Sequence, residues 1–159
     1  MADLNCYINT FNCGRTLIDV DYFAANLFNG LDDNNALPPD FIVLCLQEIA
    51  PIGYSFLGGS LLTPYFSRFA DAVLQGAARK FGKESNYVST ITRNLGMTGI
   101  MVFARHRTVA HKIRWLETAG VGVGVHWEMG NKGAVGVRLG LEVGRGGEET
   151  VLTLSLIHI

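Results

Sequence analysis

The sequence has no C-x-x-C pair, no apolar run long enough to cross a bilayer, and little charge of either sign. Its three cysteines, Cys6, Cys13 and Cys45, are odd in number and sit inside apolar stretches. That fits buried free thiols in a reducing compartment rather than a disulfide framework. No cluster of His and Cys has metal-ligand spacing, which argues against a zinc site. Every apolar run falls short of the roughly 18 residues a membrane span needs. The first residues, MADLNCYINTFN, lack the basic and apolar segments of a signal peptide. Charged residues make up 17% of the chain against 48% hydrophobic, and the mean hydropathy is +0.24. Such a chain is too apolar to be disordered. With 13 Lys+Arg against 14 Asp+Glu and a net charge of -1, it is also too neutral for a polybasic binder of nucleic acid. At 159 residues it has the length of one ordinary domain, and it reads as cytoplasmic.

What is present in excess is glycine. Nineteen residues amount to about 12%, against roughly 7% in average usage. Ten of them fall between Gly120 and Gly147. The stretch GVGVGV within that region lacks the Lys-Ser/Thr of a phosphate loop and does not open a helix. Alternation with valine instead puts small residues on one face of a strand, where another layer or a ligand comes close.

Along the chain, Leu4 to Asn12 predicts a strand, broken by Cys13-Gly14. Leu17 to Asn29 carries Leu17, Val20, Phe23, Ala24, Leu27 and Phe28 at helical spacing, with Thr16 as the expected N-cap. Phe41 to Leu46 (FIVLCL) is a continuous apolar run, as expected of a strand buried on both faces. Pro51 to Thr63 predicts an irregular loop. Pro64 to Phe81 predicts a second helix, striped by Phe66, Phe69, Ala70, Val73, Leu74, Ala77 and Phe81 and ended by Gly82. The period then changes, and Tyr87 to Arg93, Thr98 to Arg105, Lys112 to Val125, Gly133 to Val143 and Glu149 to Leu154 predict strands joined by short turns. Two early helices and several late hairpin strands suggest part of a layered α/β sandwich.

Three short constellations end or follow apolar strands: Thr10-Phe11-Asn12-Cys13-Gly14, Leu46-Gln47-Glu48, and Gly130-Asn131-Lys132-Gly133-Ala134-Val135. Strand ends of this kind are where α/β sheets place ligands. A carboxylate at the mouth of a core must be solvated, paired or bound to a cation, and the hard oxygens of Glu48 suit Mg²⁺. Taken singly, each has a plainer explanation. Glu48 could be an exposed strand-end carboxylate, Asn12 a turn residue before glycine, and Asn-Lys-Gly a tight hairpin with Gly133 at positive φ. Arg105, His106, Arg107, His111, Lys112 and Arg114 form a basic cluster that could attract an anionic headgroup, but a solvated turn accounts for it more simply. Phe66, Phe69 and Phe81 are expected in the core beneath the long helix.

Together, in this order, the constellations resemble the inositol polyphosphate 5-phosphatase family, within the endonuclease/exonuclease/phosphatase superfamily that shares its fold with DNase I. Thr10-Phe11-Asn12 corresponds to a T-W-N-like motif, Leu46-Gln47-Glu48 to L-Q-E, and Gly99 to Arg105 (GIMVFAR) to a G-x-x-V-F-x-R strand. Gly130 to Val135 matches the family's G-N-K-G-A-V without a mismatch. The resemblance runs over residues 4 to 153. It implies a DNase I-like four-layered α/β sandwich, and Mg²⁺-dependent removal of a 5-phosphate from inositol polyphosphates or phosphoinositides. Under it Asn12 and Glu48 are catalytic, with Glu48 the metal ligand, and Asn131 and Lys132 contact the substrate phosphates. The partner would be an inositol phosphate or phosphoinositide. Peripheral contact at the cytosolic face of a membrane would follow for a lipid-borne substrate, and no nucleic acid is expected.

Phe11 and Cys13 replace the usual Trp and Val of the first motif. The family's later H-L-A-A-H, G-D-x-N and P-x-W-x-D-R motifs are missing, so residues 1–153 are expected to form roughly the N-terminal half of a catalytic domain, inactive and poorly soluble alone. Leu154 to Ile159 could be aligned with the strand into H-L-A-A-H, which would make His158 catalytic. The same six residues are what CTG TCT CTT ATA CAC ATC encodes, the transposon-end adapter of sequencing libraries. They are therefore read as adapter read-through, and His158 is given no role. Two other functions remain open. A nuclease of the superfamily would share Asn12 and Glu48 but has no need of G-N-K-G-A-V, and a net charge of -1 argues against phosphate tracking. A non-catalytic inositol-phosphate-binding module would keep Lys132 and lack the general base.

Overall fold

A computed structural model of the chain describes residues 3–31, 37–51, 53–54, 59–82, 85–125, 129–142 and 147–158. Among these residues the strands and longer helices follow in the order β1 (Cys6–Asn12), α1 (Val20–Asn26), β2 (Phe41–Gln47), α2 (Thr63–Phe81), β3 (Tyr87–Leu95), β4 (Thr98–Arg105), β5 (Ile113–Val125), β6 (Met129–Glu142) and β7 (Glu149–His158), with short 3₁₀ turns before α2 and β5. The strands form two sheets, one ordered β1-β2-β4-β3 and the other β5-β6-β7. β1 and β2 run parallel, and every other pairing is antiparallel.

The apolar run FIVLCL is central because both of its faces are covered. Ile42, Leu44 and Leu46, with Met101 and Phe103 of β4, pack under the helices together with Phe28, Phe69 and Val73. The alternate residues Phe41, Val43 and Cys45, with Ile100, Val102 and Ala104, meet Val135, Val137, Leu139, Leu141, Leu154 and Leu156 of the second sheet. Strand alternation thus divides one apolar strand between two cores. The result is three layers: helices, first sheet, second sheet. Val121, Val151 and Ile157 on the second sheet are exposed, so among the described residues nothing forms a fourth.

The helices differ in detail from the sequence expectation. α1 starts at Val20, and its N-cap is Asp19, which accepts from the Tyr22 amide at 2.9 Å. Thr16 instead donates its hydroxyl to the Cys13 carbonyl at 3.2 Å and closes the preceding loop. α2 buries Tyr65, Phe69, Ala72, Val73, Gly76 and Ala77, while Leu74 of the expected stripe is exposed. The buried face is turned because α1 crosses closely at Gly76, where a side chain would meet the Ala24 carbonyl oxygen at 2.8 Å. Phe23 stands edge-on between Phe11 and Phe69, with centroids 5.1 and 5.3 Å away, and so ties both helices to the end of β1.

In the second sheet, Asn131, Lys132 and Gly133 lie within β6 and not in a hairpin turn. Gly133 pairs with Gly122 on one side and His158 on the other. Among the described glycines the positive φ angles belong to Gly14, Gly82, Gly96 and Gly147. β7 continues four residues past the expected Leu154, with Leu154 and Leu156 turned into the core. Close approach accounts for part of the glycine excess, since Gly140 lies directly beneath the Trp115 indole.

Candidate functional site

β1 and β2 are paired in register with Asn12 opposite Gln47, so both strands end at the same level and Glu48 follows immediately. Two further backbone bonds continue the pairing beyond the strands, from the Cys13 amide to the Gln47 carbonyl and from the Arg15 amide to the Glu48 carbonyl, each 2.8 Å. To make them the chain adopts left-handed backbone at Gly14 (φ 58), Arg15 (φ 62) and Glu48 (φ 48). Left-handed non-glycine residues each store on the order of 1–3 kcal/mol and persist where the surroundings over-determine them. Glycine carries no such cost at Gly14, whose amide donates to the Asn12 Oδ1 at 2.9 Å.

This knot brings together the two residues that the sequence placed far apart. Asn12 Nδ2 lies 3.5 Å from Glu48 Oε1, and Arg15 Nε donates to Glu48 Oε2 at 3.0 Å. Glu48 is three-quarters buried, with 25% of its side chain exposed, and stands between the fully buried Leu46 and Ile49. Arg15 was missed in the sequence. Its only signal is a cation next to a turn glycine, and nothing in the order of residues says that its guanidinium reaches Glu48. The Cys13 thiol beside them is pushed up from 9.0 to about 12 by burial, with the Glu48 charge adding to the rise.

Register carries the site toward the second sheet. Leu46 pairs with Gly99 and Leu95 with Thr98, so Asn12, Gln47 and Thr98 form a polar row across the end of the first sheet. Among the described residues, the Thr98 hydroxyl is the buried side-chain oxygen without a hydrogen-bond partner. The Ile49 amide bonds the Met97 carbonyl at 3.2 Å. Leu95, at the same turn, reaches within 3.4 Å of the space a side chain at Gly133 would fill. The backbone of Asn131-Lys132-Gly133 therefore passes this end of the sandwich, and the conformation of the Asn131 and Lys132 side chains lies outside what is described. The basic cluster lies at the opposite end of β2, after Arg105, about 20 Å away at 3.3 Å per residue, so the two do not share a surface.

As a metal site the corner offers the hard oxygens of the Glu48 carboxylate, while Asn12 turns its Nδ2 to Glu48 and its Oδ1 to the Gly14 amide. Mg²⁺ is commonly held by one or two carboxylates completed by waters and substrate phosphates, and this donor set fits that pattern. Among the described residues no group of three or more His, Cys, Asp and Glu forms an all-protein cage.

The description endonuclease/exonuclease/phosphatase family 2 matches the sequence over residues 9–158. The chain belongs to that family. Among solved structures, this family member resembles the inositol polyphosphate 5-phosphatase domain of SPsynaptojanin, crystallised with inositol (1,4)-bisphosphate and calcium ion. The TM-score is 0.73 at 20% identity over 98% of this chain and 40% of that one. Two structures of mutant Cimex nitrophorin, both ferrous NO complexes, follow with TM-scores of 0.58 at 15% and 16% identity, covering 96% of this chain and 46% of theirs. No curated protein sequence matches. The fold is thus DNase I-like, and the chain spans less than half the length of each of these neighbours. A fold found in both an inositol phosphatase domain and a ferrous NO complex does not decide the chemistry, which has to be argued from the site. No helix among the described residues is long and apolar enough to cross a membrane.

Proposed function

We propose that residues 1–153 are the N-terminal part of an inositol polyphosphate phosphatase catalytic domain, and that the whole protein hydrolyses a 5-phosphate monoester of an inositol polyphosphate or phosphoinositide. The observation that carries this is the convergence of Asn12 and Glu48 at 3.5 Å, at the end of the sandwich past which the Asn-Lys-Gly strand runs. Fold similarity to a domain crystallised with an inositol bisphosphate and calcium supports the same reading.

Glu48 would hold Mg²⁺, and Asn12 beside it would orient the metal, the phosphate or the catalytic acid. When bound there, that ion neutralises phosphoryl oxygens and lowers the pKa of a bound water. Lys132 acts as a point charge on a substrate phosphate, and Asn131 donates beside it. The low net charge of -1 suits a small polyphosphate better than a polynucleotide track. Soluble or lipid-borne, such a substrate would be met in the cytoplasm or at the cytosolic face of a membrane.

Phosphate release from inositol phosphates by the complete gene product, with Mg²⁺ and with chelator, tests the reading. Mg²⁺-dependent release that falls in the Glu48→Gln variant is the expected result. Tight binding without turnover would identify a binding module instead, and activity on DNA alone would identify a nuclease.

A further inference from the structure

Glu48 is not free. Its Oε2 is taken by Arg15 Nε at 3.0 Å, while its Oε1 has only the long 3.5 Å contact from Asn12. Chance meeting of two flexible side chains does not explain this pair. The Arg15 amide is bonded to the Glu48 carbonyl at 2.8 Å, and both residues are held at left-handed φ. The backbone therefore brings the two side chains out next to each other, within reach of the contact they make. Arg15 nonetheless remains 42% exposed, and its two Nη groups have no hydrogen bond to a described residue. A guanidinium engaged through Nε still presents those two donors as a fork, a geometry that suits phosphate oxygens.

We propose that Arg15 is an exchangeable partner of Glu48. It occupies the carboxylate while no divalent cation is present, gives it up when one binds, and then holds a phosphate oxygen in the same site. This rests on Glu48 being the metal ligand. Two effects of opposite sign follow from a single side chain. Because Arg15 competes for Glu48, it weakens cation binding in proportion to the time it keeps the carboxylate occupied. Holding Glu48 for about 80–90% of the time would cost a factor of about five to ten in apparent affinity. Once displaced, its charge-assisted donors strengthen phosphate binding by about tenfold, from hydrogen bonds worth roughly 1.5–3 kcal/mol each.

The test uses the complete protein with Mn²⁺ alone, followed by electron paramagnetic resonance of the free ion, and then inorganic phosphate titrated into the Mn²⁺-loaded protein. Arg15→Gln is expected to bind Mn²⁺ about five- to tenfold more tightly and phosphate about tenfold more weakly. A variant damaged only in its fold would lose both, and a thermal melt identifies that case. Arg15→Lys, which keeps the charge but loses the fork, then decides: phosphate affinity falling while Mn²⁺ affinity does not fall supports the exchange. Unchanged or weaker Mn²⁺ binding in folded Arg15→Gln overturns it. If Glu48→Gln binds Mn²⁺ as well as the parent, Glu48 is not the ligand, and both the metal site and the exchange are rejected.

Discussion

Strand β2 carries an arginine–carboxylate pair at each end, and the two are built differently. At its start, Asp40 accepts from Arg105 Nη2 at 3.1 Å, the Thr108 hydroxyl at 3.0 Å and the Asn5 amide at 3.2 Å. The side chains of Asp40 and Arg105 are 17% and 24% exposed. Past its end, Glu48 has one firm partner in Arg15, which is far more open to solvent, and both sit on left-handed backbone. A carboxylate held by three donors is a clasp between β2 and the β4–β5 connection. One with acceptor sites to spare, held on strained backbone, can take a ligand. The same pair of residue types serves structure at one end and is available for chemistry at the other.

The sharpest way to break this contrast is to neutralise Glu48. Glu48→Gln should lower phosphate release by the complete protein on the order of a hundredfold or more, the scale seen when even supporting residues of metal sites are lost. Its denaturant midpoint should barely move, since one partly exposed ion pair is worth about 0–1 kcal/mol. Asp40→Ala should show the reverse in kind. With Arg105 and Thr108 left short of an acceptor, stability should fall by about 2–3 kcal/mol in urea unfolding, with Mn²⁺ affinity unaltered in the folded fraction. Arg15→Gln, the matching change at the other pair, should alter stability by less than about 1 kcal/mol. A loss as large as that of Asp40→Ala would make Arg15–Glu48 a second clasp.

A separate effect concerns pH. Burial raises the Cys13 thiol from 9.0 to about 12, so the folded state favours the neutral form. The stability this contributes is complete below the unfolded value and is lost as pH rises from about 9 toward 12. Burial also raises the Tyr87 hydroxyl, which donates to the Pro39 carbonyl at the Asp40 end. Unfolding midpoints measured from about pH 7 to about pH 10.5 should therefore decline, and Cys13→Ala should flatten part of that decline. A parent protein equally stable across the range would contradict the burial of these groups.

Much of the fold was legible because it follows from local pattern. FIVLCL announced a strand covered on both faces, and the six residues from Phe41 to Leu46 are all buried. Pro64 and Gly82 bracketed the long helix nearly to the residue. The cap of α1 is Asp19 and not Thr16, because the helix starts only at Val20 and Thr16 is taken up by the loop before it. Asn-Lys-Gly looked like a turn because its residue types favour one, yet pairing with β5 and β7 holds them in a strand.

By itself the sequence determined the alternation of apolar residues that makes a two-faced central strand and the residue types available for a site. Those properties depend on neighbours a few positions apart. Tertiary structure alone decided that Asn12, Arg15 and Glu48 meet, because parallel pairing of β1 with β2 brings together positions more than thirty residues apart. It also decided which of the two arginine–carboxylate pairs is closed and which is open. Solvent exposure, the number of donors within reach and backbone strain make that difference, and none of them is written in the identity of the residues.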